Sequence, residues 1–144
     1  MRVSLWVMAG CIFLFYSVYF VRIIKGEPEV LEMHIHASLA EWIIHTKALA
    51  QLYLWALFAL SVLLEALYFY LTLVYIKNPA MRIFTGLFIL FELNHLLGLW
   101  YNLRRFFHGQ YLLSQIFHWG RERSSAVLFF THAFLVLAIM TAFS

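Results

Sequence analysis

Apolar residues fill four stretches of this chain so completely that the informative pattern is where polar residues interrupt them. Val3 to Ile24, Leu49 to Ile76, Met81 to Tyr101 and Ser124 to Phe143 are each long enough to cross a bilayer as a helix, at about 20 residues per crossing. Lys77-Asn78-Pro79 separates the second stretch from the third. The proline drives Asn78 out of the helical region, so these two spans are expected to form an antiparallel hairpin.

The other two connections are longer. In the first, Pro28 suits the opening position of a helix, and Glu29 and Glu32 favour the positive end of its dipole. An amphipathic interfacial helix over residues 28–47 is therefore expected between the first two spans. Run straight into the second span, it would reach about 70 Å at 1.5 Å per residue, more than twice the hydrocarbon thickness, so a bend is expected near Lys47. In the third connection, Gly109, Gly120 and Arg121-Glu122-Arg123 bracket a semi-apolar segment, Tyr111 to Trp119. That segment reads as a short helix at the interface inside a loop. Trp6, Trp100, Tyr101 and Trp119 suit the aromatic belt at membrane boundaries. The expected architecture is a single all-α membrane domain, a four-transmembrane-helix bundle with one interfacial helix between the first and second spans.

Composition agrees with the pattern. Hydrophobic residues make up 65% of the 144 and charged residues 12%, against about a quarter charged in soluble domains. The mean hydropathy is +0.85. A net charge of +3 is not read as a nucleic-acid footprint, because the basic residues sit in small clusters beside apolar runs, the distribution that orients helices in a bilayer. Counting those clusters places Arg22, Lys25, Lys47, Arg104, Arg105, Arg121 and Arg123 on one side and Arg2, Lys77 and Arg82 on the other. Both termini are thus expected to face away from the cytoplasm. The first span is too long for a signal-peptide core and lacks a small-residue cleavage site, so it is expected to stay as an anchor. The single cysteine, Cys11, forms no internal disulfide and reads as a buried small hydrophobe.

The chemistry lies in four residues near the middle of apolar runs. Glu65, Glu92, His95 and His132 fall at similar membrane depths, where a charged side chain costs about 2.5 to 3.5 kcal/mol on insertion scales. On the second span, Lys47, Gln51, Ser61, Glu65 and Thr72 share one stripe; on the third, Thr85, Glu92, His95 and Asn102 share another. His132 shares a face with Ser125 on the fourth. Three polar stripes predict a bundle with a polar heart, in which Glu65 and Glu92 carry the chemistry and His95 and His132 bind a cofactor.

Two mechanisms use the same four groups. Glu92 and His95 repeat the Glu-x-x-His spacing of di-metal helical bundles, and with Glu65 and His132 they supply half such a ligand set, suited to zinc or ferrous iron. Alternatively, desolvated carboxylates and neutral-range imidazoles pass protons, in redox or ion-translocating chemistry or to a bound quinone. A b-type haem with His95 and His132 as axial ligands is disfavoured by the carboxylate of Glu92 one turn away. The bland alternative is polar glue between helices, in a structural subunit of a larger membrane complex or a homo-oligomer. Gln51, Ser61, Thr85 and Asn102 are expected to support the core. Asn94 points about 100° from His95 and is expected to meet a neighbouring helix or subunit. In the first connection, His34, Ser38, Glu41 and His45 form one stripe of the expected helix, best read as a solvated face.

Overall fold

The computed structural model describes residues 2–142, with the side chains of Arg2 and Lys47 outside that set. Five α-helices account for nearly all of it: α1 Arg2–Ile24, α2 Pro28–Thr46, α3 Ala50–Tyr75, α4 Pro79–Phe107 and α5 Trp119–Ala142. There is no strand among the described residues. Four helices, α1, α3, α4 and α5, are long and apolar enough to cross a membrane, so the chain is a multi-pass membrane protein whose helices meet lipid.

Local chemistry sets the boundaries. The α3–α4 hairpin turns where expected: Asn78 is extended (φ −62°, ψ 122°), its side chain accepts from the Met81 N–H, and Pro79 opens the helix. Both α1 and α4 end on a glycine at positive φ, Gly26 (73°) and Gly109 (71°). In each, the residue after the glycine donates its N–H five residues back, Glu27 to Arg22 and Gln110 to Arg105, the Schellman arrangement that only glycine enters without strain. The bend expected near Lys47 is a single tighter turn, Lys47–Leu49.

Three boundaries differ from expectation. α4 runs six residues past Tyr101, because nothing before Gly109 stops it. Tyr111 to Trp119 is not a helix; it holds only one 3-10 turn, Leu113–Gln115, with the Gln115 side chain accepting from the Leu112 N–H. α5 starts at Trp119, five residues earlier than expected, so Arg121-Glu122-Arg123 forms its first turns rather than a loop, with the His118 carbonyl accepting from Arg121 and Glu122. Phe143, the expected end of the fourth span, lies outside the described residues.

The four long helices alternate in direction. α1 and α5 run antiparallel with the tightest contact: Ala9 and Ala133 are fully buried, and Phe13, Phe20 and Tyr16 stack on Phe130 and Phe129. Small residues allow that approach where lipid offers no hydrophobic drive. α4 and α5 run antiparallel in a fixed register, Met81 level with Val136, Thr85 with His132, Phe88 with Phe129, Glu92 with Ser125 and His95 with Glu122. Every residue of that series from Met81 to Glu92, and its partner, is buried.

α2 packs across the end of the bundle that gathers Arg22, Lys25, Arg104, Arg105, Arg121 and Arg123. A clip holds it there: Arg123 donates from Nε and Nη2 to the two Glu32 carboxylate oxygens (2.6 and 2.8 Å), and the Tyr19 hydroxyl donates to Glu32 at 2.6 Å. The Arg123 guanidinium holds the Glu32 carboxyl below its ordinary range, against the opposing effect of burial and with help from Tyr19. His34, Ser38, Glu41 and His45 are exposed, as expected of a solvated stripe.

Candidate functional site

Two polar layers cross the α4–α5 seam, seven residues apart on each helix and so about 10 Å apart along the bundle. The layer nearer the basic end begins at Glu122, in the first turns of α5. Its Oε1 lies 2.9 Å from His95 Nε2, and His95 Nδ1 lies 3.0 Å from Glu92 Oε2. The other Glu92 oxygen accepts from the Ser125 hydroxyl at 2.6 Å. This is an unbroken carboxylate–imidazole–carboxylate chain, partly exposed at Glu122 and closed off at Glu92, whose side chain is 2% exposed. Both carboxylates accept from His95 when its ring carries two protons. When the ring carries one, a carboxyl group holds the other, an arrangement of donors and acceptors through which a proton can be exchanged.

At its outer end the chain borders a small cavity of about 10 Å³ lined by His95, Gly98, Asn102, His118, Arg121 and Glu122, the size that holds one water. Gly98 keeps it passable: a Cβ there would lie 3.0 Å from Arg121 Nη1. Asn102 frames the same cavity and donates to the Ile116 carbonyl at 3.1 Å.

At its inner end, Glu92 shares a lipid-facing groove of about 330 Å³ with Glu65, walled by Phe69, Tyr70, Ile89, Leu93 and other apolar groups. Glu65 also lines a second groove, of about 380 Å³, between α1 and α3 with Cys11, Tyr16 and Ser61. Its Oε2 is buried and has no hydrogen-bond partner among the described residues. Cys11 is exposed along this groove and not a core residue, because α1 turns that face away from α5.

The second layer is closed. His132 is fully buried. Its Nδ1 lies 2.7 Å from the Tyr68 hydroxyl and its Nε2 2.9 Å from Thr85 Oγ1, which itself donates to the Met81 carbonyl at 2.7 Å. With the Thr85 proton committed, His132 Nε2–H donates to Thr85 and Nδ1 accepts from Tyr68: a neutral ring with every polar atom satisfied. Phe69, Phe84 and Phe88 enclose it, and Phe88 and Phe129, 4.8 Å apart, separate it from Glu92.

The four expected residues thus divide. Glu92 and His95 meet, Glu65 adjoins them across a groove, and His132 belongs to the other layer. Both nitrogens of His95 and of His132 make hydrogen bonds within the bundle. Among the described residues, no three His, Cys, Asp or Glu side chains are placed to hold a metal ion. Of the expected supporting residues, Thr85 holds His132, Asn102 frames the small cavity, Ser61 bonds the Phe58 carbonyl of its own helix and Gln51 is exposed. Glu122 was legible only through helical spacing from Ser125, three residues on, once α5 is known to start at Trp119. Tyr68 carried no signal beyond being one turn from Glu65.

The chain matches no family model, and no curated protein or solved structure matches it.

Proposed function

We propose that this protein passes protons between the surface at its basic end and a lipid-facing groove at mid-bilayer, through Glu122, His95 and Glu92 to Glu65. The observation that carries the reading is the unbroken chain from the partly exposed Glu122 to the buried Glu92, next to a carboxylate oxygen left unpartnered in a groove. Intramembrane ionisable groups are expensive, and a structural role leaves no reason for an unused acceptor.

The path is a half-path. Beyond Glu65 the seam is plugged by Phe88 and Phe129, and below the saturated His132 layer lie Met81 and Val136. This favours delivery to an acceptor that arrives from the membrane over conduction from one face to the other. A quinone headgroup has the required chemistry: carbonyls that accept, hydroxyls that donate, and a body soluble in hydrocarbon. The same atoms favour a relay over a zinc or iron centre, since ligation through either nitrogen of His95 would break the carboxylate–imidazole–carboxylate chain. In this reading the basic end, with α2 lying on it as an interfacial helix, faces the cytoplasm and both termini face away.

The test is infrared spectroscopy of oriented proteoliposomes after a pH step on the basic-end side, following the protonated-carboxyl band. Glu65→Gln removes the inner component, and His95→Phe slows its appearance while Glu122 still responds. Identical kinetics in His95→Phe and the wild type would reject the relay. Addition of a short-chain benzoquinone is expected to perturb the Glu65 component in the wild type and not in Glu65→Leu.

A further inference from the structure

The outer face of α4 carries a second pattern, independent of the relay. Ile83, Leu87, Leu90, Asn94, Leu97 and Tyr101 follow one another at alternating steps of four and three residues, and all six are exposed. Alternation of three and four is the heptad period, which keeps a single seam facing one partner along a left-handed helix pair. Leu90 and Leu97, the neighbours of Asn94 on the seam, are 65% and 64% exposed, so nothing among the described residues covers it.

Asn94 gives the seam its identity. It sits near the middle of the 29-residue α4, on the face opposite Glu92, with no hydrogen-bond partner among the described residues. Hydrocarbon cannot satisfy its amide, so lipid alone is a poor neighbour for this face. α3 presents a comparable exposed run, Tyr53, Leu57, Leu60, Leu64 and Leu67, but it holds no polar residue and stops at the buried Leu71. Leucine against lipid needs no partner; asparagine does.

We infer that α4 pairs with α4 of a second copy of this chain, in parallel and in register, with Asn94 hydrogen bonded to Asn94 across a two-fold axis along the membrane normal. The occupant follows from the chemistry. A carboxamide both donates and accepts, so it complements itself, and two copies inserted the same way present Asn94 at the same depth. A single polar residue within an apolar seam is the device that fixes register and pairs two strands. Leu90 and Leu97 then pack on either side of the amide pair and keep it from lipid. The relay residues lie on the other side of α4, so each copy keeps its own groove.

The test is disulfide mapping in phosphatidylcholine vesicles, in a Cys11→Ser background because Cys11 is exposed. Single cysteines at Leu87, Leu90 and Leu97 are expected to cross-link readily, and cysteines at Leu93 and Trp100, exposed on the same helix but off the seam, to cross-link weakly. Energy transfer between labelled copies is expected to show association weakened about tenfold by Asn94→Leu and retained by Asn94→Gln. Asn94 is exposed, so both variants are expected to fold, as circular dichroism checks. A monomer in the bilayer, equal cross-linking at Leu93 and Leu97, or association indifferent to Asn94→Leu overturns the proposal.

Discussion

The two polar layers of the α4–α5 seam are built alike and finished differently. Each places a histidine between two hydroxyl or carboxyl groups, at least one of them from a neighbouring helix. In the His132 layer, donors and acceptors match one for one: Tyr68 to Nδ1, Nε2 to Thr85, Thr85 to the Met81 carbonyl. In the His95 layer, carboxylates on both sides compete for the same ring protons, and Glu65 adds an acceptor that nothing fills. A closed layer of neutral groups has one low-energy arrangement of protons and so behaves as packing. In the relay we propose, a layer with surplus acceptors can hold its protons in more than one arrangement, and moving between them would be proton transfer.

The comparison breaks most sharply at His132. His132→Ala leaves a cavity, orphans the Tyr68 hydroxyl and takes the ring N–H from Thr85, for an expected loss of about 3 to 4 kcal/mol, seen as early unfolding in bicelles. A loss below about 1 kcal/mol would show that the closed layer is not packing after all. Its companion in the open layer is Glu92. Glu92→Ala, which strands Ser125 and His95, is expected to cost about 2 to 3 kcal/mol. Glu92→Gln keeps an acceptor for Ser125 and is expected to cost at most about 1 kcal/mol while abolishing the infrared response of Glu65. Full proton transfer in Glu92→Gln would remove Glu92 from the path.

The clip on α2 comes next. Glu32→Gln is expected to cost about 1 to 2 kcal/mol, because the Arg123 partner is 34% exposed and solvent screens the pair. Its pH dependence has a definite sign. The Arg123 guanidinium holds the Glu32 carboxyl below its ordinary range in the folded protein, so its contribution is complete above the unfolded pKa and fades as pH falls through the lowered folded one. Thermal unfolding followed between about pH 6 and pH 3 should show wild type and Glu32→Gln converging at the acid end. The smallest effect is expected at Glu65: Glu65→Gln should change stability by no more than about 0.5 kcal/mol, since its Oε2 makes no bond to lose. A larger loss would place a hidden partner on that oxygen and turn the open layer into a closed one.

Four spans, the hairpin at Asn78-Pro79 and the intramembrane Glu and His were legible in the sequence, because burial in lipid and the stereochemistry of proline act on each segment alone. The α2 stripe was legible in part: His34, Glu41 and His45 are exposed, whereas Glu32 was read as a helix-dipole residue and is the anchor of the clip. Its partner Arg123 lies 91 residues away, beyond any local pattern. Glu122 was hidden by its two arginine neighbours, which made the first turns of α5 look like a loop.

What the sequence determined by itself is the four long apolar helices and the order of polar residues along each, since hydropathy and helical rise depend only on order along the chain. Which of those residues meet was decided by the antiparallel register of α4 on α5. A shift of one heptad would have set His132 against Glu92, as spacing alone allowed. The packing of Phe88 against Phe129 keeps the two layers apart, and that is a property of facing surfaces that no single segment contains.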